Sequence, residues 1–301
     1  MKNLFGKKYY ALILSLCAMF IFCSSWAQKP ESYSTFHCIS LYWKPAGASA
    51  DNECTVKYRI PGENDWQQGM PLWFDPNIHD GLPDRSNEYR GSIVDLIPGT
   101  NYEVQLQLEK SDKTVTLFQK TLSESFRALK TVQLPSDEHH QPLIISEGGS
   151  EKEGYVIYDA TNSGHTIDAQ KQYDQCVKID ASYVILRGLT LKNAKHHGIE
   201  LGNVDHVVIE NCNVSGWGSN YQEGLWKGFW KNLESAVFSA SNVSVSNIII
   251  QRNKFHHPGV DANSWEEPVP RTHPRGPQGI SLKNTEGYNI IRYNEIYSDK
   301  D

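Results

Sequence analysis

The sequence is poor in cysteine, and this scarcity limits what can hold the fold together. Only 6 of 301 residues are cysteine, and two of them lie within the first 27 residues. The remaining four are too few for a dense disulfide framework, although they permit a bridge between Cys38 and Cys54. We expect Cys176 and Cys212 to be small buried residues instead.

Long apolar runs are also scarce, and the one present lies at the N-terminus. Three lysines precede an apolar run over residues 11–22, and Ser25-Trp26-Ala27 provides a small-x-small cleavage site. This is the pattern of a secretory signal peptide, because the run is too short and wrongly flanked for a membrane anchor. We therefore expect residues 1–27 to be removed and the mature protein to be secreted, extracellular or periplasmic, without a membrane span.

Basic residues are not in excess. The formal net charge is −6, and it becomes −9 (−6 − 3) when the three lysines of the signal peptide are removed. Proteins that bind nucleic acids or anionic membranes need a basic field, so the composition argues against both kinds of partner. An acidic polysaccharide stays compatible with it, because a local basic groove can outweigh a diffuse acidic surface.

Several motifs of catalysis and cofactor binding are missing as well. The sequence has no Gly-rich phosphate loop, no Gly-x-Ser-x-Gly motif and no Cys/His spacing typical of zinc sites. We therefore expect neither a metal ion nor an organic cofactor, and a monomeric protein.

The second half of the chain contains a repeat. Four apolar stretches, centred on Leu186, Ile209, Ile250 and Ile291, each follow a shorter alternating strand. The steps between them are 23, 41 and 41 residues (209 − 186, 250 − 209 and 291 − 250). The first step is about one coil of a parallel β-solenoid, so the longer steps must contain loop insertions.

Inward-facing residues of successive coils should stack in ladders. One predicted ladder consists of Val177, Ile199, Val237 and Ile280, and a second consists of Leu191, Val214, Phe255 and Ile296. Asn253 above Asn294 should form a partial asparagine ladder at a turn. We expect a single core that buries Ile199, Leu201, Val214, Ile250, Phe255, Ile280 and Ile296.

With this repeat, residues 134–301 resemble the right-handed parallel β-helix superfamily typified by pectate lyases, chondroitinase B and alginate lyases. The resemblance implies an all-β solenoid, and the absence of a capping segment before Asp301 suggests a β-helix that is incomplete at its C-terminus. Lyases of this superfamily use Lys or Arg to remove the proton next to a uronate carboxylate. Ca²⁺ or a basic residue often holds that carboxylate, so the resemblance leaves Ca²⁺ open as a cofactor.

Residues 28–133 have strand signals without the coil period. Ile39, Leu41 and Trp43 alternate, and a Leu-x-Pro-Gly-Thr-x-Tyr corner runs from Leu96 to Tyr102. The corner resembles that of fibronectin type III domains, in which a tyrosine hydroxyl bonds back to nearby backbone, and Trp43 fits their core tryptophan. The resemblance implies an N-terminal β-sandwich before the β-helix.

In the resembled lyases the site lies on the outer face of the first strand of each coil. Alternation predicts one outward row of Lys178, Glu200, Phe238 and Ser281, and a second row of Asp180, Gly202, Ala240 and Lys283. Two insertions, residues 216–234 and 257–277, should fold over this groove. The candidates for substrate binding are Trp217, Trp226, Trp230 and Lys283, although the aromatic rings could equally order the loop by packing on one another.

The catalytic candidates combine the groove with the end of the second insertion. They are Lys178, His197, Glu200, His273 and Arg275. We expect His197 or Lys178 as base, and Arg275 as the partner of the substrate carboxylate, while Glu200 would be an orienting or acidic group. A solvated face of mixed charge is the alternative interpretation.

Two functions fit these patterns. The first is an exported polysaccharide lyase or glycoside hydrolase that acts on an extracellular glycan. Hydrolysis would need two carboxylic acids, for example Glu200 with Asp180 or Asp261. The second is a non-catalytic, adhesin-like protein that binds surface glycans, for which the aromatic loop suffices.

Overall fold

The computed structural model describes residues 29–76, 87–111, 113–218, 234–259 and 277–298. All regular elements in these ranges are β-strands, and no helix there is long and apolar enough to cross a membrane. The chain divides into two compact units between Ser125 and Phe126.

The first unit consists of two antiparallel sheets. Its strands are β1 (Glu31–Ser34), β2 (Ile39–Trp43), β3 (Cys54–Arg59), β4 (Gln67–Gln68), β5 (Trp73–Asp75), β6 (Glu88–Ile93), β7 (Asn101–Leu108) and β8 (Thr114–Lys120). One sheet has the order β1-β2-β6-β5 and the other the order β4-β3-β7-β8. Both contribute to one hydrophobic core, in which the alternating residues Ile39, Leu41 and Trp43 are buried as predicted.

The corner from Leu96 to Tyr102 folds back on itself. The backbone N–H of Ile97 donates a hydrogen bond to the Tyr102 hydroxyl at 2.9 Å, and the Tyr102 ring is buried in the same core. This is the contact that the corner pattern predicts. The assignment of the unit to the fibronectin type III family stays a prediction.

The four cysteines in the described residues are not bridged. Cys38 and Cys54 are both free, so the bridge that the sequence permits between them is not formed. Burial raises the pKa of the Cys54 thiol to about 12. Cys176 and Cys212 are free and buried, as expected for small core residues.

The second unit contains the remaining strands. They are β9 (Ala128–Gln133), β10 (Glu138–His139), β11 (Leu143–Ile145), β12 (Tyr155–Asp159), β13 (Thr166–Asp168), β14 (Gln175–Ile179), β15 (Val184–Arg187), β16 (Thr190–Lys192), β17 (His197–Leu201), β18 (Val204–Glu210), β19 (Asn213–Ser215), β20 (Ser235–Ser239), β21 (Val245–Gln251), β22 (Lys254–His256), β23 (Gln278–Ser281), β24 (Thr285–Glu286), β25 (Ile290–Arg292) and β26 (Glu295–Tyr297).

These strands form three parallel sheets, which the chain visits in rotation. The groove sheet has the order β11-β14-β17-β20-β23, the second sheet runs β9-β12-β15-β18-β21 with β24 and β25 on β21, and the third runs β10-β13-β16-β19-β22-β26. This arrangement is a parallel β-solenoid; its right-handed sense stays a prediction. Because β9 pairs with β12, the unit begins eight residues (133 − 125) before the expected boundary at residue 133.

Inward residues stack between coils as predicted. Val177, Ile199, Val237 and Ile280 lie opposite one another in consecutive strands of the groove sheet, as do Leu191, Val214, Phe255 and Ile296 in the third sheet. The Asn253 amide donates to Asn294 Oδ1 at 3.0 Å, which confirms the asparagine ladder.

Two residues expected in the core are not fully buried. Ile280 is half-buried, and Ile296 is 54% exposed. The expected burial of Ile296 is wrong, because no strand in the described ranges stacks on β26.

Candidate functional site

The outer face of the groove sheet carries the first predicted row in order. Lys178 lies opposite Glu200, Glu200 opposite Phe238, and Phe238 opposite Ser281. All four side chains are half-buried. They point outward because their neighbours in each strand point toward the core. With strands about 4.8 Å apart, the row extends for roughly 15 Å along the solenoid.

At one end of the row, Lys178 and Glu200 lie beside Asp180 of the second row. The Lys178 ammonium forms an ion pair with Asp180 at 3.4 Å. Burial raises the pKa of Glu200, against the opposing effect of Lys178. Gly202 keeps the surface open here, because any side chain at that position would collide with the Asp180 carboxylate.

His197 and Phe238 form the aromatic part of the face. Their rings are stacked with centroids 3.8 Å apart and planes 1° apart, and the Lys283 ammonium lies 5.6 Å from the Phe238 centroid. The backbone N–H of Ser235 donates to His197 Nδ1 at 3.2 Å, so the ring proton lies on Nε2. Burial lowers the pKa of His197 to about 4. His197 is therefore neutral near pH 7, with its ring stacked on Phe238.

The depressed pKa of His197 predicts a pH dependence of stability. The folded state binds this proton less readily than the unfolded chain, whose pKa is about 6.5, so His197 contributes stability above that pH. This contribution should be lost as the pH falls from about 6.5 to about 4. We expect the melting temperature of His197→Gln to fall less steeply than that of the wild type over this range. Parallel curves for the two proteins would contradict the assignment.

Lys171 was not predicted as a functional residue, yet its ammonium contacts the first residues of both insertions. Its ammonium donates to the backbone oxygens of Ala194 at 3.2 Å, Gly216 at 2.5 Å and Gly218 at 2.6 Å. Burial lowers the pKa of Lys171. A side chain at Gly259 would collide with the ammonium, so the start of the second insertion lies against the same group.

The other insertion ends meet at Glu234. His196 Nδ1 lies 2.8 Å from the carboxylate of the buried Glu234, and His196 Nε2 lies 3.4 Å from the Asp174 carboxylate. The Gln278 backbone N–H donates to the Glu234 backbone oxygen at 2.8 Å, and the Gly259 N–H donates to the Trp217 backbone oxygen at 2.6 Å. Sequence reasoning missed these contacts because they join residues from different coils.

Trp217 is a core residue and not an exposed sugar platform. Its side chain is 2% exposed and packs in the solenoid core, so the prediction that it binds substrate from an exposed loop is wrong. Lys171 donates hydrogen bonds to the backbone oxygens of Gly216 and Gly218, on either side of Trp217, and these bonds hold the segment against the solenoid. Five other candidates lie outside the described residues: Trp226, Trp230, Asp261, His273 and Arg275.

Of the predicted site residues, Lys178, His197, Glu200 and Lys283 thus lie along the groove sheet, with Lys178 and Lys283 three coils apart. Neither a protein-family model nor a curated protein matches the sequence. Among solved structures, pectate lyase PelI from Erwinia chrysanthemi is similar at 10% identity and a TM-score of 0.23. The same enzyme in complex with tetragalacturonic acid is similar at 11% identity and a TM-score of 0.21. Each match covers 90% of this chain and 82% of the other, and scores this low carry no argument about fold or activity.

Proposed function

We propose that the chain is an exported carbohydrate-active protein that binds an acidic polysaccharide along the groove sheet. The observation that supports this function is the row of Lys178, Glu200 and Phe238 across successive coils, with Lys283 beside the Phe238 ring. An aromatic surface can pack against the C–H groups of a sugar, and ammonium groups pair with carboxylates. A row that repeats from coil to coil suits a polymer.

β-Elimination is the reaction that we assign to this face. The uronate carboxylate must be neutralised beside the base, which stabilises the charge that forms when the adjacent proton is removed. Arg275, which lies outside the described residues, keeps this predicted role. Lys283 follows a strand three coils from Lys178, so it would pair with the carboxylate of another uronate in the same polymer. Glu200, whose pKa is raised by burial, would serve as the acid that protonates the glycosidic oxygen as its bond to the ring carbon β to the carboxylate breaks. The base role falls to Lys178, which lies opposite Glu200 in the next strand.

A non-catalytic role in glycan binding is the second candidate, and one observation favours it. Lys178 is held in an ion pair with Asp180, and His197 Nδ1 already accepts a hydrogen bond from Ser235. Both base candidates in the described groove are therefore engaged. Binding would use the same cations and ring without requiring a base.

One experiment separates these functions. The mature protein would be incubated with acidic and neutral polysaccharides, while binding, absorbance from unsaturated uronates and new reducing ends are followed. We expect binding to polyuronates that weakens with salt, together with unsaturated product. Reducing ends alone would indicate a hydrolase, and binding without either product would indicate the non-catalytic role. Absence of binding to every acidic glycan would contradict the proposal.

The groove lysines provide a direct test of the binding surface. We expect the double variant Lys178→Ala/Lys283→Ala to bind a polyuronate about tenfold more weakly, because two exposed ion pairs contribute up to about 1 kcal/mol each. The matched control is Lys192→Ala/Lys254→Ala, which removes the same charge from strands β16 and β22 of the third sheet. Equal losses in both double variants would show that only net charge matters.

A further inference from the structure

Three potential metal ligands converge at the first coils of the solenoid, away from the groove sheet. Asp137 Oδ2 lies 2.9 Å from His139 Nε2, and Asp137 Oδ1 lies 2.8 Å from His165 Nδ1. The ligand atoms of all three residues lie within 4.8 Å of one another. We propose that Asp137, His139 and His165 form a binding site for a divalent transition-metal ion such as Zn²⁺.

The local fold explains why these side chains meet. Asp137 and His139 flank Glu138, so they project from the same side of an extended segment. His165 directly precedes β13, which pairs in parallel with β10 and places His139 opposite Ile167. Two successive coils therefore each supply part of the set, and a bound ion would link them.

The spacing of the donor atoms suits a metal ion. Ligands held at about 2.0 to 2.2 Å from one ion lie roughly 3 to 3.5 Å from each other. The two separations between Asp137 and the histidines, 2.9 and 2.8 Å, are slightly shorter, and all three ligand atoms lie within 4.8 Å of one another. The Pro135 backbone oxygen lies 2.9 Å from His165 Nδ1 and holds the ring with that nitrogen beside Asp137. The set is thus partly assembled before any ion binds.

The chemistry of the donors selects the class of ion. Two imidazoles and one carboxylate suit Zn²⁺ and other first-row transition metals, whereas Ca²⁺ prefers oxygen ligands alone. His165 is 4% exposed, while His139 and Asp137 are exposed, so the site is anchored on one side and open to solvent on the other. Three side-chain ligands leave a position for water, as in zinc sites that are not closed.

The test uses the mature full-length protein after dialysis against a chelator. Zn²⁺ binding is followed by calorimetry, Co²⁺ binding by its ligand-field absorption, and the melting temperature is measured with and without Zn²⁺. We expect one equivalent of Zn²⁺ per chain and a higher melting temperature with the ion, since a ligand that binds only the folded state stabilises it. These readouts do not depend on the proposed activity toward glycans.

Variants of the two exposed ligands assign the site without removing a buried side chain. His139→Ala and Asp137→Asn should each weaken Zn²⁺ binding by at least about tenfold and abolish the rise in melting temperature. The matched control is His140→Ala, which removes the next histidine, whose Nδ1 lies 3.1 Å from the Asp168 backbone oxygen. Zn²⁺ binding that is unchanged in both test variants, or no binding by the wild type, would overturn the proposal. Asp137 would then be only a hydrogen-bond acceptor for two histidines.

Discussion

Replacing Ile250 with Asp should prevent the solenoid unit from folding. Ile250 has no exposed surface and lies between Ile209 and Ile291 in the second sheet. An unpaired carboxylate there would lose its hydration without gaining a partner, at a cost of several kcal/mol. This is comparable with the whole stability of a typical domain, about 5 to 15 kcal/mol. Circular dichroism and denaturant unfolding of the purified variant measure the effect.

Ile291→Asp is the matched control for this experiment. Ile291 occupies the same ladder position one coil later, but its side chain is 53% exposed, so a carboxylate there stays hydrated. We expect this variant to fold with nearly the unfolding midpoint of the wild type. If Ile250→Asp were soluble with an unchanged midpoint, the stacking register of the solenoid would be incorrect.

Trp217→Ala should destabilise the solenoid unit by about 3 to 5 kcal/mol, because it removes a large buried ring and leaves a cavity. Trp217→Phe should cost much less, since Trp217 Nε1 has no hydrogen-bond partner in the described part of the chain and most of the apolar volume is kept. Thermal and denaturant unfolding of both variants provide the measurement.

The contrasting variants are Trp226→Ala and Trp230→Ala, which test the remaining aromatic candidates. If these residues are sugar platforms, their loss should weaken glycan binding while the melting temperature stays nearly unchanged. A loss of stability without a loss of binding would support the alternative, in which the rings order the insertion. Unaltered stability of Trp217→Ala would contradict its place in the core.

The sequence predicted the stacked coils because their evidence is local and repeated. Apolar residues alternate in every strand, and the 41-residue step keeps Ile209, Ile250 and Ile291 in one ladder despite the insertions. The outward row from Lys178 to Phe238 follows from the same alternation. Period and alternation therefore predict both the core and the groove face.

The remaining features depend on contacts that have no sequence period. Trp217 resembled part of an exposed loop, because nothing in the sequence shows that Lys171, 45 residues before Gly216 (216 − 171), holds that segment on the solenoid. The exposure of Ile296 depends on whether another coil covers it. The triad of Asp137, His139 and His165 combines two coils, so it matches no contiguous metal-binding motif.

The ends of both insertions are held in place, and this affects which changes in insertion length and sequence the fold can tolerate. Gly218, Glu234, Gly259 and Gln278 each make a contact at one edge of the groove, either with a side chain of the solenoid or with the base of the other insertion. The entropic cost of closing a loop between fixed ends rises slowly, by about 0.6 kcal/mol for each doubling of its length. Either insertion can therefore be lengthened, shortened or exchanged while the strands beneath keep their register. The length of each insertion and the stability of the solenoid are in this way encoded in separate parts of the sequence.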